Sequence, residues 1–258
     1  MPHKSKPAAS EALSKVPELT LVFWIIKIMA TTLGETGGDA VSMSMDLGYL
    51  VSTAIFAFLF VGAVLVQIKA PKFHPVIYWA TIVASTTVGT TLADFATRSL
   101  GIGYAGGSGL LLALLVGSLL VWKQVMGSVA VADVSSTRSE LFYWVTIMFS
   151  QTLGTALGDW TADTAGLGYL GAAAIFAGLL ALIVSAYFWT KVSRTTLFWG
   201  AFIVTRPLGA VLGDFLDKPV ANGGLALSRY SASAILAVLI VACVLLLPQR
   251  AATQSHGS

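Results

Sequence analysis

The chain alternates between long apolar segments and short polar connections along almost its whole length. Eight apolar segments of about 20 residues recur, and a helix of that length crosses roughly 30 Å of hydrocarbon. The pattern therefore predicts an all-α membrane protein with eight transmembrane helices, and the segments are too long and too numerous to be signal peptides. The predicted spans are residues 19–40, 47–68, 75–96, 102–122, 141–161, 167–189, 196–216 and 226–247.

The odd-numbered segments share one pattern, which is repeated four times along the chain. Each begins with Phe or Tyr followed by a tryptophan, and ten positions after the tryptophan lies a glycine. An aspartate lies fifteen positions after the tryptophan in all four repeats. The three sets are Trp24, Trp79, Trp144 and Trp199; Gly34, Gly89, Gly154 and Gly209; and Asp39, Asp94, Asp159 and Asp214.

This periodicity predicts four tandem two-helix repeats at about 19–70, 74–124, 139–190 and 194–248. They form one transmembrane domain, 19–248, between tails at 1–18 and 249–258. Because each repeat holds an even number of helices, all four keep one orientation and are related by an axis along the membrane normal.

The Trp and Gly/Asp positions resemble those of a family of bacterial membrane proteins that contain four tandem copies of a two-helix repeat of unknown function. The resemblance covers essentially the whole chain. It implies the four-repeat architecture and brings no established activity. The fourth repeat departs from the pattern, with Pro207 where the others have threonine and Gly224 where the others have Tyr49, Tyr104 and Tyr169.

Composition and charge agree with a membrane location. Hydrophobic residues make up 56% of the chain, charged residues 10%, and the mean hydropathy is +0.83. Basic residues are concentrated in the loops of one side, which predicts a multi-pass protein of the bacterial inner membrane with both termini in the cytoplasm. The cytoplasmic set is Lys4, Lys6, Lys15, Lys69, Lys72, Lys123, Arg138, Lys191, Arg194 and Arg250, against Arg98, Lys218 and Arg229 outside. These scattered charges do not suggest nucleic-acid binding.

The four aspartates are the main candidates for function. A charged side chain in the bilayer costs about 2.5 to 3.5 kcal/mol on insertion scales, so it must face protein, water or an ion. At about 1.5 Å per residue, each carboxyl lies roughly 22 Å from its tryptophan, so the four form one layer in the outer half of the membrane. Polar residues one and two turns earlier share their helix faces, namely Thr32, Glu35, Thr87, Thr90, Thr152 and Thr155, with Arg206 in the fourth repeat.

Carboxylate and hydroxyl oxygens are hard ligands that suit Mg²⁺, Ca²⁺, Mn²⁺ or Na⁺. The sequence leaves three alternatives to a bound cation: the aspartates cap backbone groups, pair with Arg206 or Lys27, or are protonated. Glu35 and the four aspartates make five acids against these two bases, which favours a bound cation. Lys27 can also reach the cytoplasmic interface.

Four further sets of residues have a structural interpretation. The tryptophans are expected to anchor the helices at the headgroup level, and the small residues four apart, such as Gly34 and Gly38, to let helices approach closely. Pro207 is expected to kink the seventh helix. Charged residues at the outer helix ends are expected to form a solvated rim, namely Asp46, Arg98, Asp163, Asp217 and Lys218.

The leading hypothesis is an integral membrane transporter or exporter of a small cation, preferably Mn²⁺ or Mg²⁺, bound by the Asp/Thr layer. The alternative is a non-catalytic binding or scaffold protein for a lipid, an apolar small molecule or a partner subunit. An enzyme is not expected, since His3, His74 and His256 lie in tails or a loop and Cys243 is the only cysteine. No cofactor is firmly implied beyond a candidate divalent cation. The expected partners are the bilayer and the cation, and a homo-oligomer is compatible with the sequence.

Overall fold

The computed structural model describes residues 14–253, which form an all-α fold with eight long helices. The orientation signals Lys4 and Lys6, together with His3 and His256, lie outside the described residues. The helices are α1 (Leu21–Asp39), α2 (Gly48–Lys69), α3 (Pro75–Asp94), α4 (Gly103–Met126), α5 (Thr137–Asp159), α6 (Gly168–Trp189), α7 (Arg194–Asp217) and α8 (Arg229–Leu246). α7 continues through Pro207 without a change of helix type.

Six of these helices, α2, α3, α4, α6, α7 and α8, are long and apolar enough to cross a membrane. The sequence predicted eight such spans, and α1 and α5 fall short of that criterion. Their polar residues explain the difference, because α1 carries Lys27, Glu35 and Asp39, and all three side chains are buried inside the protein. A multi-pass membrane fold is therefore supported, with α1 and α5 shielded by their neighbours.

The four odd-numbered helices form a closed inner ring in the order α1, α3, α5, α7 and back to α1. The even-numbered helices pack outside this ring, and each contacts chiefly the odd helix of the following repeat. Thus α2 packs on α3, α4 on α5, α6 on α7, and α8 returns to α1. The repeats therefore surround one central axis.

Glycines bring the inner helices close together, as the small-residue pattern predicted. A Cβ added at Gly34 would lie 2.2 Å from Thr86 Oγ1 on α3, and one at Gly209 would lie 2.0 Å from Thr31 Oγ1 on α1. Equivalent contacts join Gly89 to Gln151 and Gly154 to Arg206. The same contact therefore recurs around the ring. In each case the glycine of one repeat packs against the residue that lies seven positions after the tryptophan of the next repeat.

The helix geometry changes immediately after the aspartate in three of the four repeats. Asp39, Asp94 and Asp159 each end an α-helix and are followed by five residues of π-helix, at Ala40–Ser44, Phe95–Ser99 and Trp160–Thr164. Single π-turns are rare in proteins overall, and those that occur are often found at functional sites. In the fourth repeat α7 remains α-helical to Asp217, and the backbone N–H of Lys218 donates to the Asp214 carbonyl.

Both ends of the described chain lie on one face of the ring, called here the terminal face. Residues 14–17 do not extend away as part of a free tail, because Pro17 pairs with Ala251 and Ser14 donates to the Val131 carbonyl at 2.6 Å. Lys15 forms a buried ion pair with Glu140 at 2.7 Å. The opposite face carries the short connections after the π-helical segments and is called the cavity face.

Candidate functional site

The site lies along the axis of the inner ring, where side chains four residues apart point inward and form successive layers. Counted from the tryptophan of each repeat, the layers lie at positions −1, +3, +7, +11, +15 and +19. From −1 to +15 every member of these layers is buried. The polar part consists of Thr31, Thr86, Gln151 and Arg206; then Glu35, Thr90, Thr155 and Ala210; then Asp39, Asp94, Asp159 and Asp214.

The terminal face is closed by aromatic rings that follow the same cyclic order as the helices. Phe23 packs on Trp79 with ring centroids 5.4 Å apart, and Tyr78 packs on Trp144 at 5.8 Å. Tyr143 with Trp199 and Phe198 with Trp24 complete the cycle at 6.3 and 6.1 Å. The tryptophans were expected to anchor the helices at the headgroup level, but Trp79, Trp144 and Trp199 are buried between repeats and do not face lipid.

Lys27 lies in the next layer, surrounded by Ile82, Ile147 and Phe202. Its Nζ is 4.1 Å from the centroid of the Phe202 ring and has no hydrogen-bond partner among the described residues. Lys27 is fully buried, so the expectation that it reaches the interface is wrong. A cation over an aromatic face is stabilised by the ring quadrupole.

Arg206 crosses the axis and connects all four inner helices. From α7, its Nη1 donates to Glu35 Oε2 on α1 at 3.1 Å, and its Nη2 donates to Thr90 Oγ1 on α3 and Thr155 Oγ1 on α5. The side chain is fully buried. Of the two bases considered from the sequence, Arg206 does pair with an acid, but that acid is Glu35 and not an aspartate.

Two basic residues of the cavity face reach into the aspartate layer. Arg98 contacts Asp94 at 2.9 Å and Asp159 at 3.0 Å, while Lys218 contacts Asp39 and also Asp214 at 3.1 Å. Arg98 is exposed, as predicted for the rim, although it also contacts two buried aspartates. The prediction of a solvated rim is wrong for Lys218 and Asp217, the latter of which pairs with Arg229 at 2.9 Å. It is right for Asp46 and Asp163, which are exposed.

A cavity of about 440 Å³ opens at the cavity face directly above the aspartates. Its lining includes Arg98, Asp163, Tyr169, Asp214 and Lys218. The aspartate layer thus borders the cavity through Asp214, whereas the aromatic layer blocks the axis at the terminal face.

The carboxylates beneath the cavity converge closely enough to share a cation. One oxygen each from Glu35, Asp159 and Asp214 lies within 4.8 Å of the others, and the same holds for Asp39, Asp214 and Asp217. Oδ1 of Asp39 and Oδ1 of Asp159 have no hydrogen-bond partner within residues 14–253, although both residues are almost completely buried. A buried carboxylate oxygen without a partner is costly, so these atoms are candidates for contact with a ligand.

The other residues selected from the sequence divide into two groups. Thr90 and Thr155 lie on the axis and accept hydrogen bonds from Arg206. Thr32, Thr87 and Thr152 donate to carbonyls of their own helices instead, to Ile28, Val83 and Met148. These three therefore support the helices and are not joined to the aspartates.

Sequence reasoning missed the layer at Thr31, Thr86 and Gln151 and the roles of Arg98 and Lys218. The signal was available, since all of them lie at multiples of four residues from the aspartates. The faces were assigned from the positions three, four and seven residues before each aspartate, so the positions eight before and four after it were left out. In this ring, the side chains that point toward the axis recur every four residues along each inner helix.

The family described as "Repeat of Unknown Function (DUF347)" matches the chain four times, at residues 22–73, 77–127, 142–193 and 197–250. No curated protein and no solved structure matches the chain. The four matches together cover most of the sequence and coincide with the four units of the ring. The chain therefore belongs to the family built from this repeat of unknown function.

Proposed function

We propose that this protein transports a small cation, preferably a divalent metal such as Mn²⁺ or Mg²⁺, through the carboxylate layer on the ring axis. One observation carries the proposal: six carboxylates and four basic side chains form three neighbouring ion-pair groups beneath an open cavity, and oxygens of Glu35, Asp159 and Asp214, one from each group, lie within 4.8 Å of one another. The acids are Glu35, Asp39, Asp94, Asp159, Asp214 and Asp217, and the bases are Arg98, Arg206, Lys218 and Arg229. Together these groups have a formal charge of two minus, which a divalent cation balances.

The donor chemistry favours a hard cation. The available ligands are carboxylate oxygens, with the threonine hydroxyls of Thr90 and Thr155 in the adjoining layer. Mg²⁺ and Mn²⁺ prefer such oxygen ligands, and Mg²⁺ usually keeps several of its waters. The cavity of about 440 Å³ leaves room for a partly hydrated ion.

The two ends of the axis are consistent with a carrier that opens to one side at a time. The cavity face admits ions to the aspartates, while the aromatic layer and the Arg206 bridge close the other end. By the distribution of basic residues, the closed end is cytoplasmic. Release there requires the helices to separate at the aromatic layer.

The direct experiment measures metal uptake into proteoliposomes and the metal-induced rise in melting temperature of the purified protein. We expect Mn²⁺ or Mg²⁺ to raise the melting temperature, because a ligand that binds only the folded state stabilises it. Asp39→Asn and Asp214→Asn should abolish both effects. Asp46→Asn is the matched control, since Asp46 is exposed on the same face and Asn also tolerates its positive φ of 55°.

Two results would count against a cation transporter. One is normal uptake by well-folded asparagine variants at all four ring positions. The other is a panel of Na⁺, Mg²⁺, Ca²⁺ and Mn²⁺ in which no ion changes the melting temperature of the unmodified protein.

A second candidate function, lipid binding, is favoured by an apolar groove of about 490 Å³ between α1, α2, α3 and α8. Its lining includes Leu33, Phe56, Trp79 and Ile240, and Leu59 and Leu245 at its edge are exposed. An acyl chain fits this chemistry. Under this alternative, delipidation would lower the melting temperature and cations would have no effect.

A further inference from the structure

The ring of four aspartates is divided into two halves by two different basic side chains. Arg98 lies nineteen positions after its tryptophan and bridges Asp94 and Asp159. Lys218 lies at the equivalent position of the fourth repeat and bridges Asp39 and Asp214. The other two repeats have Met43 and Asp163 there. The fourfold pattern thus becomes a pair of unlike ion-pair sites.

The two bridging cations differ in how firmly they hold their partners. Arg98 presents a planar guanidinium that is always charged and can direct separate N–H groups at two carboxylates at once. Lys218 presents a compact ammonium on a flexible stem, which holds carboxylates as a point charge. An ammonium is therefore the easier of the two for another cation to replace.

The Lys218 half also has the ligand atoms that a replacement would need. Oxygens of Asp39, Asp214 and Asp217 lie within 4.8 Å of one another. Oδ1 of Asp39 is without a hydrogen-bond partner in the part of the chain that the structure describes, and Asp39 is only 1% exposed. Oxygens bound at about 2.0–2.6 Å to one ion are separated by at most about 4 to 5 Å, so the spacing fits a shared metal.

The backbone around Lys218 leaves its side chain a place to go. α7 ends at Asp217, and Lys218 begins the following connection in an extended conformation. Lys218 lines the cavity, so its ammonium can move outward into that space. Arg98 also lines the cavity, but it lies inside the π-helical segment that follows Asp94, so its backbone is held in a helical turn.

Building on the proposed function, we infer that Lys218 is a tethered competitor for the transported cation. Its ammonium pairs with both Asp39 and Asp214 when the site is empty, and Arg229 lies 3.8 Å from Asp39 on the same side. A divalent cation binds to Asp39, Asp214 and Asp217 by displacing that ammonium into the cavity, while Asp94 and Asp159 stay bridged by Arg98. The two negative charges of Asp39 and Asp214 then balance the metal.

The reciprocal pair Lys218→Arg and Arg98→Lys tests this inference at constant net charge. We expect Lys218→Arg to weaken Mn²⁺ binding to the full chain at least tenfold in calorimetry, because the guanidinium holds both carboxylates. Arg98→Lys should change the affinity less than threefold. Lys218→Met, which removes the competitor, should tighten Mn²⁺ binding at least tenfold.

The outcomes separate this inference from the proposed function. If the unmodified protein binds Mn²⁺ through Asp39 but Lys218→Arg binds equally well, Lys218 is only a structural ion pair and the inference falls alone. If no variant and no unmodified protein binds any cation, both fall. Should Lys218→Met fail to fold, as judged by gel filtration and melting, Lys218→Gln provides the same neutral change.

Amine labelling gives a second readout that a merely structural lysine would not show. With MnCl₂ as the probe, a small amine-acylating reagent followed by mass spectrometry should modify Lys218 several-fold faster than in metal-free buffer. Lys69, at the terminal end of α2, is the internal reference and should not change. Equal or slower labelling of Lys218 with Mn²⁺ would overturn displacement.

Discussion

The two ends of the ring axis are built from the same four helices but are packed in opposite ways. At the terminal end, eight aromatic side chains from the four repeats interlock around the axis. At the cavity end, carboxylates and basic side chains meet below open space. All four repeats therefore contribute similar aromatic contacts at the terminal end, whereas their charged side chains differ from repeat to repeat at the cavity end.

This difference follows from what each layer requires of its neighbours. The aromatic contacts are satisfied by similar side chains in every repeat, so the layer can stay nearly symmetric. Four like charges in one layer repel one another, so the aspartates need unlike partners. Arg98 and Lys218 supply them from only two of the four repeats, which breaks the symmetry where charge accumulates.

Arg206 separates the two ends, and its loss should have the largest effect on the fold. Arg206→Met leaves the buried Glu35 carboxylate without its cation, and removing one partner of a buried pair costs about 3–5 kcal/mol. We expect the free energy of unfolding to fall by about that amount, as measured by denaturant titration in detergent with tryptophan fluorescence.

Two variants make this measurement interpretable. Arg194→Met removes an exposed arginine from the first turn of the same helix and should change stability by no more than about 0.5 kcal/mol. The double variant Arg206→Met/Glu35→Leu should recover much of the loss, because replacing both members of a buried pair with apolar groups is often neutral. An Arg206→Met protein as stable as the unmodified one would show that the ends are not joined through this residue.

The close approach of the inner helices provides the second test, with an intermediate effect. In Gly209→Ala the new methyl would lie 2.0 Å from Thr31 Oγ1 and 2.5 Å from its Cβ, so α1 and α7 must move apart. Overpacking of this kind typically costs about 1–3 kcal/mol. Thermal melting in detergent should detect it.

Gly178→Ala on α6 is the matched control, because no atom lies within 4 Å of a Cβ added there. Replacing an exposed glycine within a helix by alanine should stabilise by roughly 0.5–1 kcal/mol. Similar losses in the two variants would mean that the Gly209 contact does not hold the ring together.

Much of the architecture was predictable because the same residues recur at the same spacing in all four repeats. The tryptophan, glycine and aspartate spacing predicted four equivalent units, and the even number of helices per unit predicted one orientation. The closure of the ring was harder to predict from the sequence. The sequence gives no reason for α8 to pack on α1 rather than beside α7, because that contact depends on the geometry of the whole assembly.

The site was predicted only in part, for two physical reasons. The aspartates, Glu35 and Arg206 stood out as charges inside apolar segments, which is a strong signal in a membrane protein. Arg98 and Lys218 were assigned to solvent because they follow the predicted spans or lie at their ends. Their side chains turn back toward the aspartates, and side-chain direction at a helix end is set by tertiary contacts that hydropathy does not contain.

The hydrogen bond between Tyr78 and Tyr143 gives the smallest expected effect and the sharpest separation of the two ends. The hydroxyls lie 2.7 Å apart in the buried aromatic layer. Tyr78→Phe should reduce the free energy of unfolding by about 0.5–1.5 kcal/mol, and Tyr78→Phe/Tyr143→Phe should cost little more, because neither hydroxyl is then left unpaired. A double-mutant cycle from denaturant titrations measures the coupling. Because this layer lies far along the axis from the aspartates, the cation-induced melting shift should be the same in all three variants. A changed shift would mean that the aromatic closure and the carboxylate layer act as one unit.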